Sequence, residues 1–285
     1  KEERELIGKK IPLEALTGFK LETLETKPEL AAAVLQQNGV LGLKNVLSHE
    51  KCDEMLEHLN QELEVGKTEV NEGVVSFDER FGGVNCRGIN GMFGYRQDMF
   101  VSMDSPVVQS AMKEAVGNLR PLLEATVTVD GMIHEISSLI ADPKSPRQCI
   151  HADTIYLPSK LYPVDMKPLY TFFIALQDVE EGMGDTTFLT RTHTESAHEL
   201  WNTSPRQKQL FIASQRPVHS KLKKGDVAIF DSRLLHAGGA NTSEKRRVLF
   251  YFTVSQQHNW PLPDGLHGSN SVRSKDRWQW KLTDL

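Results

Sequence analysis

The chain has 285 residues, of which 39% are hydrophobic and 25% are charged, with a formal net charge of −5. This composition is that of a globular protein and excludes a disordered, collagen-like or coiled-coil chain. No basic run suggests nucleic-acid binding, and no apolar stretch approaches the roughly 18 residues of a membrane span. An odd number of cysteines without CxxC spacing argues against a disulfide framework or a structural zinc site (Cys52, Cys86 and Cys149).

The cysteine pattern favours a reducing compartment. We therefore expect the cytoplasm, or an organelle lumen reached with a targeting segment that has been removed.

Helices are predicted for the front part of the chain. Residues 28–37 begin with proline and are followed by Gly39, the asymmetry expected of a helix start and end. A strand is expected over 40–47. Ser48 can cap a second helix that we expect to end at Gly66, and Ser105-Pro106 opens a third.

Residues 70–100 are glycine-rich and are predicted to be irregular. Such a stretch is typical of a loop that covers a binding site or of a flexible connection. It contains three arginines, which indicate either an anionic substrate or ordinary surface charge (Arg80, Arg87 and Arg96).

Short strands are predicted for the rest of the chain, with a hairpin turn at Asp130-Gly131. This pattern favours a sandwich or barrel, and no βαβ pattern or glycine-rich nucleotide loop accompanies it. The expected strands cover residues 125–129, 132–140, 148–155, 169–177, 186–189, 227–230 and 247–254.

Three residues form a pattern that could bind a metal ion. On a strand, His151 and Asp153 point to the same face, and His236 follows a later strand. Two histidines and a carboxylate on one face of an octahedron bind non-haem Fe(II) and leave open positions for other ligands. A single His-x-Asp is a weak signal, and His151 alone would more commonly be a hydrogen-bonded core histidine.

Arg247 strengthens this interpretation. It opens an apolar strand eleven positions after His236, and a buried guanidinium needs an anionic partner. A dicarboxylate held by iron at one end and by arginine at the other would satisfy both groups, as in the binding of 2-oxoglutarate. The neighbouring Arg246 would point to the opposite face of the strand.

The chain resembles the phytanoyl-CoA dioxygenase family of Fe(II)/2-oxoglutarate oxygenases. The resemblance covers most of the chain and rests on QQNGVLGLKNVLSHEKCDEM, IHADT, LYTFFIALQDVEEGMGDTTFLTRTH and KKGDVAIFDSRLLHAGGANTSEKRR. It implies a mainly β fold with flanking helices, a double-stranded β-helix of the jelly-roll, cupin-like kind. It also implies that His151, Asp153 and His236 are iron ligands and that Arg247 binds the distal carboxylate of 2-oxoglutarate.

The expected organisation is one domain over residues 1–285. It comprises a helical part to about 120, a β-helix core over about 125–255 and a C-terminal extension over 256–285.

The chain departs from the family pattern in two places. The family often has Pro-Gly-Ser-His where residues 190–193 are Thr-Arg-Thr-His, and often has a hydroxyl residue where this chain has Gly238. Asp153 is retained, whereas related halogenases usually replace it with a small residue. Its presence favours hydroxylation or another oxidation over chlorination.

Further candidates line the predicted core strands. We expect Thr171, Thr187 and His134 to contact 2-oxoglutarate, although His134 would also suit a hydrogen-bonded core position. Candidates for substrate contact are Arg191, Arg96, Arg87 and Tyr170, and the alternative for Arg191, His193 and His198 is a solvated loop. Cys149 is expected to pack in the core.

The resulting hypothesis is oxidation of an unactivated C–H bond with Fe(II), 2-oxoglutarate and O2, releasing succinate and CO2. The outcome would be hydroxylation, desaturation or oxidative cyclisation of a small, carboxylate-bearing metabolite. The alternatives are a hydroxylase of an acyl-CoA or fatty acid, an inactive jelly-roll binding protein, and a zinc-dependent hydrolase or cupin-type isomerase. Metal content and dependence on 2-oxoglutarate separate them. The sequence indicates a small-molecule substrate and no partner protein, and it leaves the oligomeric state open.

Overall fold

The computed structural model describes residues 19–82, 93–128, 131–154, 168–215, 217–256 and 280–285. The strands are β1 (Phe19–Lys20), β2 (Val40–Lys44), β3 (Arg96–Phe100), β4 (Met132–Ala141), β5 (Leu169–Ala175), β6 (Thr186–Leu189), β7 (Pro217–His219), β8 (Val227–Asp231), β9 (His236–Gly238), β10 (Arg247–Ser255) and β11 (Trp280–Lys281). The helices are α1 (Leu21–Thr26), α2 (Pro28–Asn38), α3 (His49–Asn71), α4 (Phe77–Arg80), α5 (Pro106–Thr126), α6 (Glu195–Trp201) and α7 (Pro205–Ser214), and a 3-10 turn covers Leu282–Asp284.

Two sheets form the framework, as expected for a jelly roll. The larger has the strand order β1-β2-β8-β5-β10-β4-β11, with β3 also paired to β4. The smaller has the order β7-β6-β9, and a bridge between His151 and His236 adds an extended segment at its β9 edge. The rings of Phe188 on β6 and Phe230 on β8 lie 5.0 Å apart, so the sheets face each other.

Side-chain alternation gives the larger sheet two different faces. On the outer face, Phe172 and Phe252 stack with their ring centres 4.8 Å apart. Helix α2 packs on β2 and β8, and α5 packs on α2 and α3. On the inner face, Tyr251 contacts Phe173, and Phe173 contacts Phe230. The inner face is therefore directed toward the smaller sheet.

The helix ends follow the sequence signals at most positions. Gly39 has a φ of +76° after α2, and Ser48 accepts a hydrogen bond from the backbone of Lys51 at the start of α3. The predicted end at Gly66 is wrong, because α3 continues to Asn71. A Cβ on Gly66 would lie 3.2 Å from the ring of Phe81, so this glycine permits close packing inside the helix.

Two strand predictions are also wrong. Residues 125–126 end α5, since Leu119, Leu122 and Leu123 are buried on that helix and continue its packing beyond Pro121. The hairpin expected at Asp130-Gly131 therefore has no first strand, and Asp130 itself lies outside the described residues. Residues 148–154 make one isolated bridge, at His151, instead of a ladder, and Ile155 is outside the described part.

Part of the predicted irregular segment is regular. Residues 96–100 form β3, whose residues pair with β4.

Among the described residues, no helix combines the length and the apolar character that crossing a bilayer requires.

Candidate active site

His151, Asp153 and His236 meet at the inner surface of the smaller sheet. Their ligand atoms lie within 4.8 Å of one another. Oδ1 of Asp153 is 3.6 Å from Nε2 of His151 and 3.7 Å from Nε2 of His236. These separations are too long for direct hydrogen bonds but leave room for an ion between the three groups.

Backbone carbonyls fix the orientation of both imidazole rings. Nδ1–H of His151 donates to the carbonyl of Cys149 at 2.8 Å, and Nδ1–H of His236 donates to that of Leu234 at 2.9 Å. Each ring therefore presents the lone pair of Nε2 toward Asp153. Burial lowers the pKa of His236 to about 4, so its neutral form prevails. Two imidazoles and a carboxylate are the donor set that suits non-haem Fe(II).

Arg247 is fully buried at the start of β10. Its Nη1 donates to the carbonyl of Gly184, and among the described residues its Nε and Nη2 have no hydrogen-bond partner. Burial lowers its pKa to about 9, the charge of Arg96 acts in the same direction, and Asp185 opposes both. A buried cation with two unused donors fits a carboxylate ligand.

The neighbouring Arg246 faces away from this site. It donates to the carboxylate of Asp142, and its Nη1 donates to Oδ1 of Asn60 at 2.9 Å. Nδ2 of the buried Asn241 donates to the carbonyls of Ala141 and Lys245, each at 2.8 Å. The Asn-x-Ser sequence thus fixes the turn that places Arg247, and not Arg246, on the inner face.

Arg96 lies beside Arg247. Both are Cα partners of Ala141, so the two arginines point to the same face across β3, β4 and β10. Nη2 of Arg96 donates to the carbonyl of Gly239 at 2.8 Å and to that of Pro146 at 3.2 Å. This places Arg96 at the Arg247 end of the site and not in a loop over it.

Thr186 takes the place expected for Thr187. Phe188 pairs with His236 and Thr186 with Gly238, so these residues share the face that carries the metal-binding group. Thr186 is buried, and its hydroxyl has no hydrogen-bond partner among the described residues. Thr187 points to the other face, with its hydroxyl 3.4 Å from Nδ1 of His219.

The remaining candidates on core strands lie on both faces of the larger sheet. Thr171 pairs with Phe230 and Thr253 and is on the inner face. His134 is buried at a β-bulge of β4 opposite Thr253, the residue with which Thr171 also pairs. Tyr170 alternates to the outer face, where burial, reinforced by the charge of Asp231, raises its pKa.

Four predicted substrate or loop residues are bound to other side chains or buried instead. Nε of Arg191 donates to Oδ1 of Asn38 at 3.1 Å, which ties this residue to the end of α2. His193 and His198 are buried, so they do not form a solvated loop. Arg80 forms ion pairs on α3 with Glu62 and Glu69. Arg87 lies outside the described residues, and Cys149 is exposed instead of packed in the core.

Gln148 is a site residue that the sequence did not single out. Its backbone N–H donates to the carbonyl of Gly238, and its Oε1 accepts from the N–H of Gly238, both at 2.9 Å. A Cβ on Gly238 would lie 2.6 Å from that oxygen and 2.9 Å from Nη1 of Arg96. The glycine that departs from the family pattern therefore provides the space that Gln148 and Arg96 occupy.

The fold and the donor set define a jelly-roll protein of the non-haem iron oxygenase class. The sequence model of the phytanoyl-CoA dioxygenase (PhyH) family matches residues 35–249. The chain belongs to this family.

Two curated relatives are similar over part of their length. Dioxygenase ALT11 of Alternaria alternata is 25% identical over 131 residues, which are 45% of this chain and 40% of that protein. The iron/alpha-ketoglutarate-dependent dioxygenase ausU of Aspergillus calidoustus is 29% identical over 122 residues, or 40% and 37% of the two chains. The alignments thus span about two fifths of the length of these relatives.

Solved structures share the fold. The non-heme alpha ketoglutarate dependent epimerase SnoN from nogalamycin biosynthesis has a TM-score of 0.58 at 16% identity, covering 89% of this chain and 98% of its own. AviO1 from Streptomyces viridochromogenes Tue57 has a TM-score of 0.59 at 17% identity, covering 83% and 98%.

Proposed function

We propose that this protein is an Fe(II)/2-oxoglutarate-dependent oxygenase that oxidises an unactivated C–H bond of a small molecule and releases succinate and CO2. The observation that carries the proposal is that two imidazoles and a carboxylate lie close together in a fold that also buries an arginine with two donors that have no partner among the described residues. A bound iron would supply activation of O2 and of the C–H bond.

The residues divide the work of binding. Nε2 of His151, Nε2 of His236 and the carboxylate of Asp153 would hold the iron. Nε and Nη2 of Arg247 form the planar fork that binds a carboxylate through two parallel hydrogen bonds. Arg96 adds a second positive charge, and the hydroxyl of Thr186 adds a donor on the neighbouring strand.

Aromatic side chains keep water from one flank of the metal-binding group. The ring centre of Phe230 is 4.8 Å from that of His236, and that of Phe188 is 6.0 Å from it. A dry flank strengthens the electrostatic attraction between the two arginines and an anionic cosubstrate. The apolar wall also keeps His236 neutral, as metal binding requires.

The substrate we propose is a small metabolite. SnoN supports this class, as does the non-heme alpha ketoglutarate dependent carbocyclase SnoK from nogalamycin biosynthesis, whose solved structure shares the fold with a TM-score of 0.56 at 17% identity. The expectation that the substrate carries a carboxylate rested on arginines of the glycine-rich segment. Arg96 lies at the cosubstrate end of the site, and Arg191 is hydrogen-bonded to Asn38. The proposal that the substrate carries a carboxylate therefore depends on Arg87, which lies outside the described residues.

Anaerobic spectroscopy tests the proposal. Fe(II) and then 2-oxoglutarate are added to metal-free protein, and the weak visible charge-transfer band of the chelate is recorded. We expect a band in the wild type, no band with His236→Ala, and a much higher 2-oxoglutarate requirement with Arg247→Ala. Arg246→Ala is the matched control and should behave as the wild type. Folded wild-type protein that gives no band would contradict the proposal.

A further inference from the structure

The turn between β8 and β9 is packed against the segment that carries Asp153. The carbonyl of Ser232 accepts hydrogen bonds from the N–H groups of Asp153 at 2.8 Å and Thr154 at 3.0 Å. The hydroxyls of Ser232 and Thr154 are 2.6 Å apart, and both side chains are buried. One serine thus contacts two successive residues of the metal-binding segment through three hydrogen bonds.

The turn is itself held in one conformation. The carboxylate of Asp231 accepts from the backbone N–H and the Nε–H of Arg233, each at 2.9 Å. The N–H of Ser232 donates to the carbonyl of Leu169 at 2.8 Å, and His198 donates from Nε2 to the carbonyl of Arg233 at 2.7 Å. Ser232 therefore lies in a turn whose backbone is hydrogen-bonded on both sides of it.

The same short stretch of chain ends at His236. The backbones of His236 and His151 exchange two hydrogen bonds, of 2.8 and 2.9 Å. The position of each metal-binding side chain is thus defined relative to residues 231–236. Both histidine rings are hydrogen-bonded to backbone carbonyls, whereas the carboxylate of Asp153 lies 3.6 and 3.7 Å from Nε2 of the two histidines, too far for a direct hydrogen bond.

We propose that the hydroxyl pair of Ser232 and Thr154 is a positioning element that holds Asp153 in the orientation needed for metal binding. The two hydroxyls bond to each other, so the pair acts on Asp153 through the backbone between Asp153 and Thr154. This inference rests on the proposed function, since it assigns a metal to the three side chains. Partners that orient metal ligands commonly change metal affinity by about 10- to 100-fold when they are removed.

The test measures Co(II) affinity and thermal stability of the metal-free protein in parallel. Co(II) is added alone, and its visible absorption reports both occupancy and ligand geometry. We expect Ser232→Ala and Thr154→Val each to weaken Co(II) binding by about 10-fold or more. Each should also lower the melting temperature, because the remaining buried hydroxyl loses its partner. Thr154→Ser keeps the hydroxyl and should restore Co(II) affinity.

The double variant Ser232→Ala/Thr154→Val separates positioning from stability. Removing both hydroxyls leaves no unsatisfied group, so most of the lost stability should return. If the pair positions Asp153, Co(II) affinity stays low in the double variant. If affinity returns together with stability, the pair is merely structural and the inference is wrong.

Ser138→Ala is the matched control. Ser138 is equally buried, and its hydroxyl donates to the carbonyl of Leu249 at 3.2 Å, on the outer face of the larger sheet. It should lose stability without a change in Co(II) affinity. Wild-type protein that binds no Co(II) would refute the proposed function, whereas normal binding that Ser232→Ala leaves unchanged would refute this inference alone.

Discussion

The buried charge of Arg247 is the basis of the proposed cosubstrate site. A guanidinium without access to water is costly to bury, and its lowered pKa, about 9, reflects that cost. The side chain is retained with two unused donors, a state that a carboxylate ligand relieves. Lysine would keep the charge but lose the planar fork, so the two residues are not interchangeable here.

The two adjacent threonines of β6 give a prediction at the residue scale. Thr186→Val should weaken 2-oxoglutarate binding by about 10-fold or more, because it removes a hydrogen bond to a charged ligand. Thr187→Val should leave binding unchanged, because that hydroxyl faces His219. Anaerobic titration of the Fe(II) chelate band measures both affinities. Equal effects of the two substitutions would contradict the assignment.

Gly238 gives a second residue-scale prediction. In Gly238→Ala the new Cβ would displace the side-chain ends of Gln148 and Arg96, which are 2.6 and 2.9 Å from its position. Because both are flexible side chains, we expect a folded protein with about 10-fold weaker 2-oxoglutarate binding, measured by the same titration. Gly117→Ala is the control, since a Cβ on Gly117 meets nothing within 4 Å.

At the scale of elements, the face of the strand on which a residue lies separates the positions that the sequence predicts from those that it does not. The spacing of His151 and Asp153 and the position of Arg247 after an Asn-x-Ser turn could be read locally, because each depends on neighbouring residues. The choice between Thr186 and Thr187 could not, since pairing of β6 with β9 sets the phase. The strand expected over residues 125–129 is wrong because burial of the last leucines of α5 outweighs the β-branched residues that follow.

Two buried histidines beside the turn after β8 predict how this region responds to pH. Burial lowers the pKa values of His193 and His198; Arg233 acts with burial and Asp231 acts against it. Unfolded chains bind the proton near pH 6.5 and the folded protein only at lower pH, so stability falls as the pH drops from about 6.5 through the folded pKa. Urea unfolding of the metal-free protein at pH 7 and pH 5 measures this loss.

His193→Gln isolates one of these contributions. Glutamine cannot take up the proton, so the variant should lose less stability than the wild type between pH 7 and pH 5. The constant loss from the missing contact of His193 with the carbonyl of Gln36 is the same at both pH values. A parallel decline of wild type and variant would show that His193 does not contribute.

At the scale of the whole molecule, ligands should stabilise the fold in two separable increments. A ligand that binds only the folded state at about 100 times its Kd adds roughly 2.7 kcal/mol. For a protein of this size we expect Mn(II) to raise the melting temperature by about 5 °C, and 2-oxoglutarate to raise it further. Differential scanning calorimetry under argon measures both steps.

Arg247→Met separates the two increments. It should keep the Mn(II) increment and lose the 2-oxoglutarate increment. Without ligands its melting temperature should not fall, because an unpaired buried charge has been replaced by an apolar side chain. A retained 2-oxoglutarate increment would show that the cosubstrate binds elsewhere.

The organisation of residues 1–285 as one domain stays a prediction, since the family match covers residues 35–249.

The carbonyl groups that orient His151 and His236 have a consequence for metal selection. Both imidazoles are held by backbone two residues earlier in the chain, so the nitrogen ligands are preformed before any ion arrives. A preformed site of nitrogen and oxygen ligands follows the Irving–Williams order, in which Fe(II) binds more weakly than Co(II), Ni(II), Cu(II) and Zn(II). If the site binds iron as we propose, the metals that the surroundings supply decide which ion the protein carries, and trace amounts of the more tightly bound ions should inhibit it.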